Sequence, residues 1–69
     1  MTAFETGTPS IRQIQKFIKE KTDVEVKIVT NDILSGQIRW QDPECICLAS
    51  YENKQMILWR HAIVYIQPR

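Results

Sequence analysis

The sequence predicts a mainly β domain with one N-terminal helix, built as a small, strongly bent open barrel of five antiparallel strands. Apolar residues first recur at helical spacing, as Ile11, Ile14, Phe17 and Ile18, and then at a period of two from Val24 onward. Beyond that switch, short alternating apolar runs are separated by segments with turn chemistry. The 69 residues allow one domain only, and a chain this short buries only about 60% of the surface its unfolded form exposes.

Residues 1–9 are expected to form a flexible N-terminal segment and residues 10–69 the domain. Ser10-Ile11-Arg12-Gln13 has a capping-box pattern, in which the Ser10 hydroxyl accepts from the Gln13 N–H and the Gln13 side chain reaches back. A helix is therefore expected over about 10–21, with Arg12, Lys16, Lys19 and Lys21 on its solvated faces. A first strand follows over 24–28, with Val24, Val26 and Ile28 on one face against Glu25 and Lys27. Thr30-Asn31-Asp32 turns the chain into a second strand over 33–41, with Leu34, Ile38 and Trp40 opposed to Ser35, Gln37, Arg39 and Gln41. Gly36 falls on the apolar face at mid-strand, where a missing side chain permits a sharp bend or close backbone approach. Asp42-Pro43 stops that ladder, because proline cannot donate to it. A third strand over 45–49 and a polar turn over 50–54 come next. The run over 55–66 is too long and too interrupted for one strand, so it is divided near Arg60-His61 into a fourth and a fifth, and Pro68 is expected to end the pairing.

Composition narrows the function. Nine Lys plus Arg against eight Asp plus Glu give a formal charge of +1, which excludes the broad basic field of a strong nonspecific nucleic-acid binder and makes any such site local. No segment approaches the ~20 apolar residues of a membrane span, and Met1-Thr2-Ala3-Phe4-Glu5 lacks the order of a signal peptide, so a cytoplasmic protein is expected. Cys45 and Cys47 stand two apart on a strand, too far for an intrastrand disulfide, and with one distant histidine they leave a zinc shell incomplete. They read as small buried hydrophobes in a reducing compartment. No nucleophile–base pair, carboxylate dyad or metal set is present, so neither an enzyme nor a metal or cofactor is expected. The adjacent Arg60 and His61, inside an otherwise apolar run, demand polar partners, since burying either alone costs more than a strand gains.

These residues together resemble Hfq, the bacterial member of the Sm/LSm family. The resemblance spans nearly all of 10–69. It rests on Val24-Glu25-Val26-Lys27-Ile28-Val29, on Leu34-Ser35-Gly36-Gln37-Ile38 with Asp42, on Gln55-Met56, and most specifically on Arg60-His61-Ala62-Ile63, which is similar to the family's Lys-His-Ala-Ile signature. Phe4-Glu5-Thr6-Gly7, Pro9-Ser10-Ile11-Arg12-Gln13 and Trp40-Gln41-Asp42-Pro43 further resemble its cyanobacterial branch. The resemblance implies an Sm-like barrel capped by the helix, with six copies closing into a ring by pairing the fourth strand of one subunit with the fifth of the next. It implies uridine-rich RNA on the helix face, adenine-rich RNA on the other face, the pairing of small regulatory RNAs with messenger RNAs, and no covalent chemistry or cofactor.

Carried over residue by residue, the resemblance implies a helix-face RNA pocket at Arg60, His61, Ser10 and Asp42, with Asp42 equally suited to orienting loops. Weaker RNA contacts are implied at Lys19 and Lys21 on the rim and at Lys27 on the opposite face. The stacking residues of the family are missing, however. Glu44 replaces the uracil-stacking aromatic, Pro43 replaces the glutamine before it, and Lys27 replaces the adenine-stacking tyrosine. A carboxylate repels phosphate where a ring would add about 1–3 kcal/mol per base, so the uridine site is expected to be weak. Trp40 and Trp59 are read as core or subunit-interface residues. The alternative function is a protein-interaction ring, presenting Arg12 and Lys16 to a partner such as the type IV pilus assembly ATPase that the cyanobacterial branch implies.

Overall fold

The computed structural model describes residues 8–69; the Phe4-Glu5-Thr6-Gly7 part of the resemblance lies outside the described residues. Helix α1 (Pro9–Lys19) precedes strands β1 (Asp23–Ile28), β2 (Ile33–Gln41), β3 (Cys45–Ser50), β4 (Gln55–Trp59) and β5 (Ile63–Pro68), with a 3-10 turn, Arg60–Ala62, between the last two. The strands form one antiparallel sheet in the order β4-β3-β2-β1-β5. Each strand lies where the periodicity predicts it. The two edges, β4 and β5, are consecutive in sequence and joined only by the turn.

The helix starts one residue before Ser10. Thr8 is the N-cap, its carbonyl accepting from the Arg12 N–H at 2.9 Å, and Pro9 takes the first helical position, for which its fixed φ is suited. Ser10 is thereby inside the first turn and cannot cap, so the Ser10–Gln13 capping box does not form. At the other end, Lys21 N–H donates to Ile18 O at 3.2 Å and Thr22 N–H to Phe17 O at 3.0 Å, a Schellman closure after Lys19. It forces Lys21 to φ 53°, a left-handed conformation that favours glycine. Lys21→Gly should therefore raise the unfolding free energy by about 0.5–1 kcal/mol. Urea denaturation checks this, and an unchanged midpoint would show that the lysine backbone is unstrained.

Ile14 and Phe17 of α1 press onto Val24, Val26, Ile38, Ile46 and Leu48, which together form the core. From Cys45 to Leu48, β3 is buried continuously, and both cysteines are free. Gly36 faces Ser50 across the β2–β3 ladder, where the two backbones approach too closely for any side chain.

Two features depart from the alternating pattern. The β2–β3 register advances from Ile38↔Leu48 to Trp40↔Cys47, so Arg39 is an extra residue on β2. That bulge breaks the alternation and leaves Arg39 and Trp40 both exposed, Trp40 at 42%, rather than placing Trp40 in the core. Pro68 does not end the pairing. It is partnered with Val24, and Arg69 N–H still donates to Asp23 O at 2.9 Å. Because amides alternate in direction along a strand, the position of Pro68 is one whose missing N–H faces the open edge. Among the described residues, no helix is long and apolar enough to cross a membrane.

Candidate nucleic-acid interface

Arg60 and His61 lie in the 3-10 turn rather than in a strand, and the turn is tied down on both sides. Arg60 N–H donates to Glu44 O at 2.9 Å, in the β2–β3 loop, and Val29 N–H donates to Ala62 O at 2.8 Å, just beyond β1. The polar partners that Arg60 demands come from its own chain. Its Nε donates to Asp42 O at 2.9 Å and its Nη2 to Gln41 Oε1 at 2.8 Å. Gln41 in turn donates from Nε2 to Gln15 Oε1 at 2.8 Å and to Ile11 O at 3.3 Å. A continuous polar path therefore runs from α1 through Gln41 to the half-buried Arg60 guanidinium. His61 is exposed and its ring stacks with Trp59, centroids 6.5 Å apart and planes at 22°.

Asp42 folds the loop beneath Arg60. Its Oδ1 accepts from Glu44 N–H and Cys45 N–H, both at 2.9 Å, and from the Cys45 thiol at 3.3 Å, while its own N–H donates to Cys45 O at 2.9 Å. The two amides, Cys45 first and then Glu44, hold its carboxyl below the ordinary value, with smaller help from the thiol. Burial first, and then the Asp42 carboxylate, push the Cys45 thiol up. Pro43 and Glu44 project from this loop and are exposed.

The remaining sequence-predicted residues are dispersed. Ser10 lines an open, largely apolar depression with Gln13, Phe17 and three residues of β5, Ile63, Ile66 and Pro68. Its neighbour Ile11 receives the Gln41 hydrogen bond of the Arg60 network, but no side-chain hydrogen bond joins Ser10 itself to that network among the described residues. Arg12, Lys16 and Lys19 share an exposed depression on α1 with Gln15 and Glu20, and Lys21 lies just past the helix end. Lys27 is half-buried in β1, paired with Ile33 on one side and Tyr65 on the other. Beside it Glu25 Oε2 accepts from the Tyr65 hydroxyl at 3.3 Å and from Gln67 Nε2 at 2.9 Å. Burial and then the Glu25 carboxylate raise the Tyr65 phenol above its ordinary value. Asn31 occupies the left-handed position of the β1–β2 turn at φ 75°, which asparagine tolerates. Gln15 and Gln41 were not singled out by the sequence, because an amide pair 26 residues apart leaves no periodic signal. Among the described residues, no group of three or more His, Cys, Asp or Glu could hold a metal ion.

The chain matches a family model described as Hfq related over residues 8–68. Among solved structures it is similar to an Hfq protein from Anabaena sp., 48% identical, with a TM-score of 0.81 over 88% of this chain and 97% of that one. It is also similar to a crystal structure of the pleiotropic translational regulator Hfq, with a TM-score of 0.82 over 87% of this chain and 98% of that one. The latter is 23% identical and supports the fold alone. No curated protein matches significantly.

Proposed function

We propose that this chain, which belongs to the Hfq-related family, is a cytoplasmic RNA-binding post-transcriptional regulator that works as a closed homo-oligomeric ring, a hexamer in the simplest case, without covalent chemistry or a cofactor. The carrying observation is the Arg60–Ala62 turn, which holds the two family-signature residues between the two open edges of the sheet. Exposed apolar side chains on those edges, Ile57 and Trp59 on β4 and Val64 on β5, support edge-to-edge assembly. In such a ring, β4 of one subunit meets β5 of the next. Ser10, beside β5, then approaches the neighbour's Arg60 turn, so the helix-face pocket is shared between subunits.

In this reading His61 contacts the nucleotide directly, while Arg60, with two donors held by Gln41 and Asp42, combines contact with positioning, and Asp42 acts through the loop it folds. Lys19, Lys21 and Lys27 add phosphate contacts without a ring to stack a base. Uridine binding is weak because Glu44 is exposed where a stacking ring would serve. The test is titration of oligo-U and oligo-A at stated salt with the parent and Glu44→Phe. The fold uses only the backbone of Glu44, its N–H donating to Asp42 Oδ1 and its carbonyl accepting from Arg60, so the substitution should leave the fold intact and tighten oligo-U binding by about 1–3 kcal/mol. Equal or weaker binding would remove the uridine pocket from this loop.

The basic helix face, with Arg12, Lys16 and Lys19 exposed together, favours a second reading as a protein-interaction ring for a partner such as the type IV pilus assembly ATPase. The same titration separates the two. Absence of saturable binding to either RNA at low salt leaves the interaction ring alone.

A further inference from the structure

We propose that a cleft across the outer side of β2 and β3 binds one nucleotide of single-stranded RNA, with Tyr51 as the stacking ring and Arg39 as the phosphate contact. The proposal rests on the RNA-binding reading and adds a site to it. The cleft, about 240 Å³, is lined by Gln37, Arg39, Ala49, Ser50, Tyr51 and Asn53. The Arg60 turn, Lys27 and the basic helix face contribute nothing to its wall.

Three observations carry it. The bulge in β2 turns Arg39 outward, and its guanidinium has no hydrogen-bond or ion-pair partner among the described residues. Tyr51 is 58% exposed, yet its ring is held in place by Arg69, whose guanidinium carbon lies 5.8 Å from the ring centroid and whose Nη1 donates to the Tyr51 hydroxyl at 3.1 Å. An exposed aromatic already fixed against a cation is a pre-ordered platform for a base, and that cation adds a second attraction for phosphate. The rest of the wall carries two side-chain amides and a hydroxyl, which suit base edges or a ribose. Two acids lie nearby: Asp23, whose Oδ1 accepts from Gln37 Nε2 at 3.2 Å, and Glu52, which makes an exposed pair with Lys54 at 3.8 Å. Ring, cation and amides converge here, whereas the Arg60 loop offers a carboxylate and β1 offers a lysine where stacking residues would serve. The volume lies below the ~300–1,000 Å³ of drug-sized sites, consistent with a single nucleotide.

The test compares the parent with Arg39→Ala, Tyr51→Ala and Tyr51→Phe by fluorescence anisotropy with oligo-U, oligo-A and random-sequence single-stranded RNA over a salt series. Arg39→Ala should weaken binding of all three and lower the salt slope by about one. Tyr51→Ala should weaken binding by about tenfold while Tyr51→Phe stays near the parent. Circular dichroism and oligomer mass should be unchanged in all three, since both side chains are exposed. Parental affinity in Arg39→Ala and Tyr51→Ala overturns the cleft and leaves the RNA reading in place. Competition by inorganic phosphate equal to that by RNA also overturns it, reducing the cleft to an anion site. A parent that binds none of the RNAs overturns both readings.

Discussion

Gly36→Ala is expected to leave the chain largely unfolded. A Cβ at this position would lie well inside van der Waals contact of the Ala49 carbonyl oxygen, 2.8 Å from the Ala49 carbonyl carbon and 3.0 Å from Ser50 Cα. All three are backbone atoms of the neighbouring strand, so no side chain can rotate away, and relief requires β2 and β3 to part in the interior of the sheet. Overpacking a well-filled core ordinarily costs about 1–3 kcal/mol. A clash with backbone belongs at or above that upper end, a large part of the ~5–15 kcal/mol that holds a domain folded. Circular dichroism and urea titration provide the measurement. A variant with the parental spectrum and midpoint would mean that the ladder widens at Gly36 without cost.

Ile57→Pro is expected to abolish assembly of the proposed ring while sparing the fold of the chain. The Arg60 N–H bond to Glu44 and the Ser50 N–H bond to Lys54 set the phase of the β3–β4 ladder. In that phase the amides of Met56 and Leu58 point toward β3 and that of Ile57 points to the open edge. Proline at position 57 therefore removes no bond within the sheet, but it deletes a donor that an incoming β5 would need and sets its ring in the way. Each interface loses a hydrogen bond worth about 0.5–1.5 kcal/mol in addition to the steric conflict, and the loss repeats around the ring. Native mass spectrometry should find the variant at the mass of the free chain with its strand signal retained. A parental oligomer mass would show that assembly does not use β4.

The elements were legible because the two periodicities are clean: Ile14 and Phe17 keep helical spacing, and Val24 and Val26 keep a strict alternation with no bulge between them. Gly36 was legible for a related reason, since a glycine on an apolar face has few explanations and a close approach is one. What the sequence did not reveal depends on phase or on distant partners. Trp40, read as a core or subunit-interface residue, lies outside the core because one extra residue at Arg39 resets the alternation, and nothing local announces a bulge. Ser10 matched a capping box, but Pro9 competes more strongly for the first helical position. Arg60 was legible as a residue in need of partners. Their identity as Gln41 and the Asp42 carbonyl depends on how the β2–β3 loop folds over the turn.

The two edges of the sheet are separated by a single three-residue turn. In a closed assembly, the angle between the strand a subunit offers and the strand it receives fixes how many copies complete a circle. Here that angle is set across Arg60, His61 and Ala62, braced by Glu44 on one side and Val29 on the other. In the proposed ring, the rotational symmetry would thus be encoded in the same three-residue turn that holds Arg60 and His61. Lengthening or relaxing that turn should change the number of subunits before it changes the fold of any one of them.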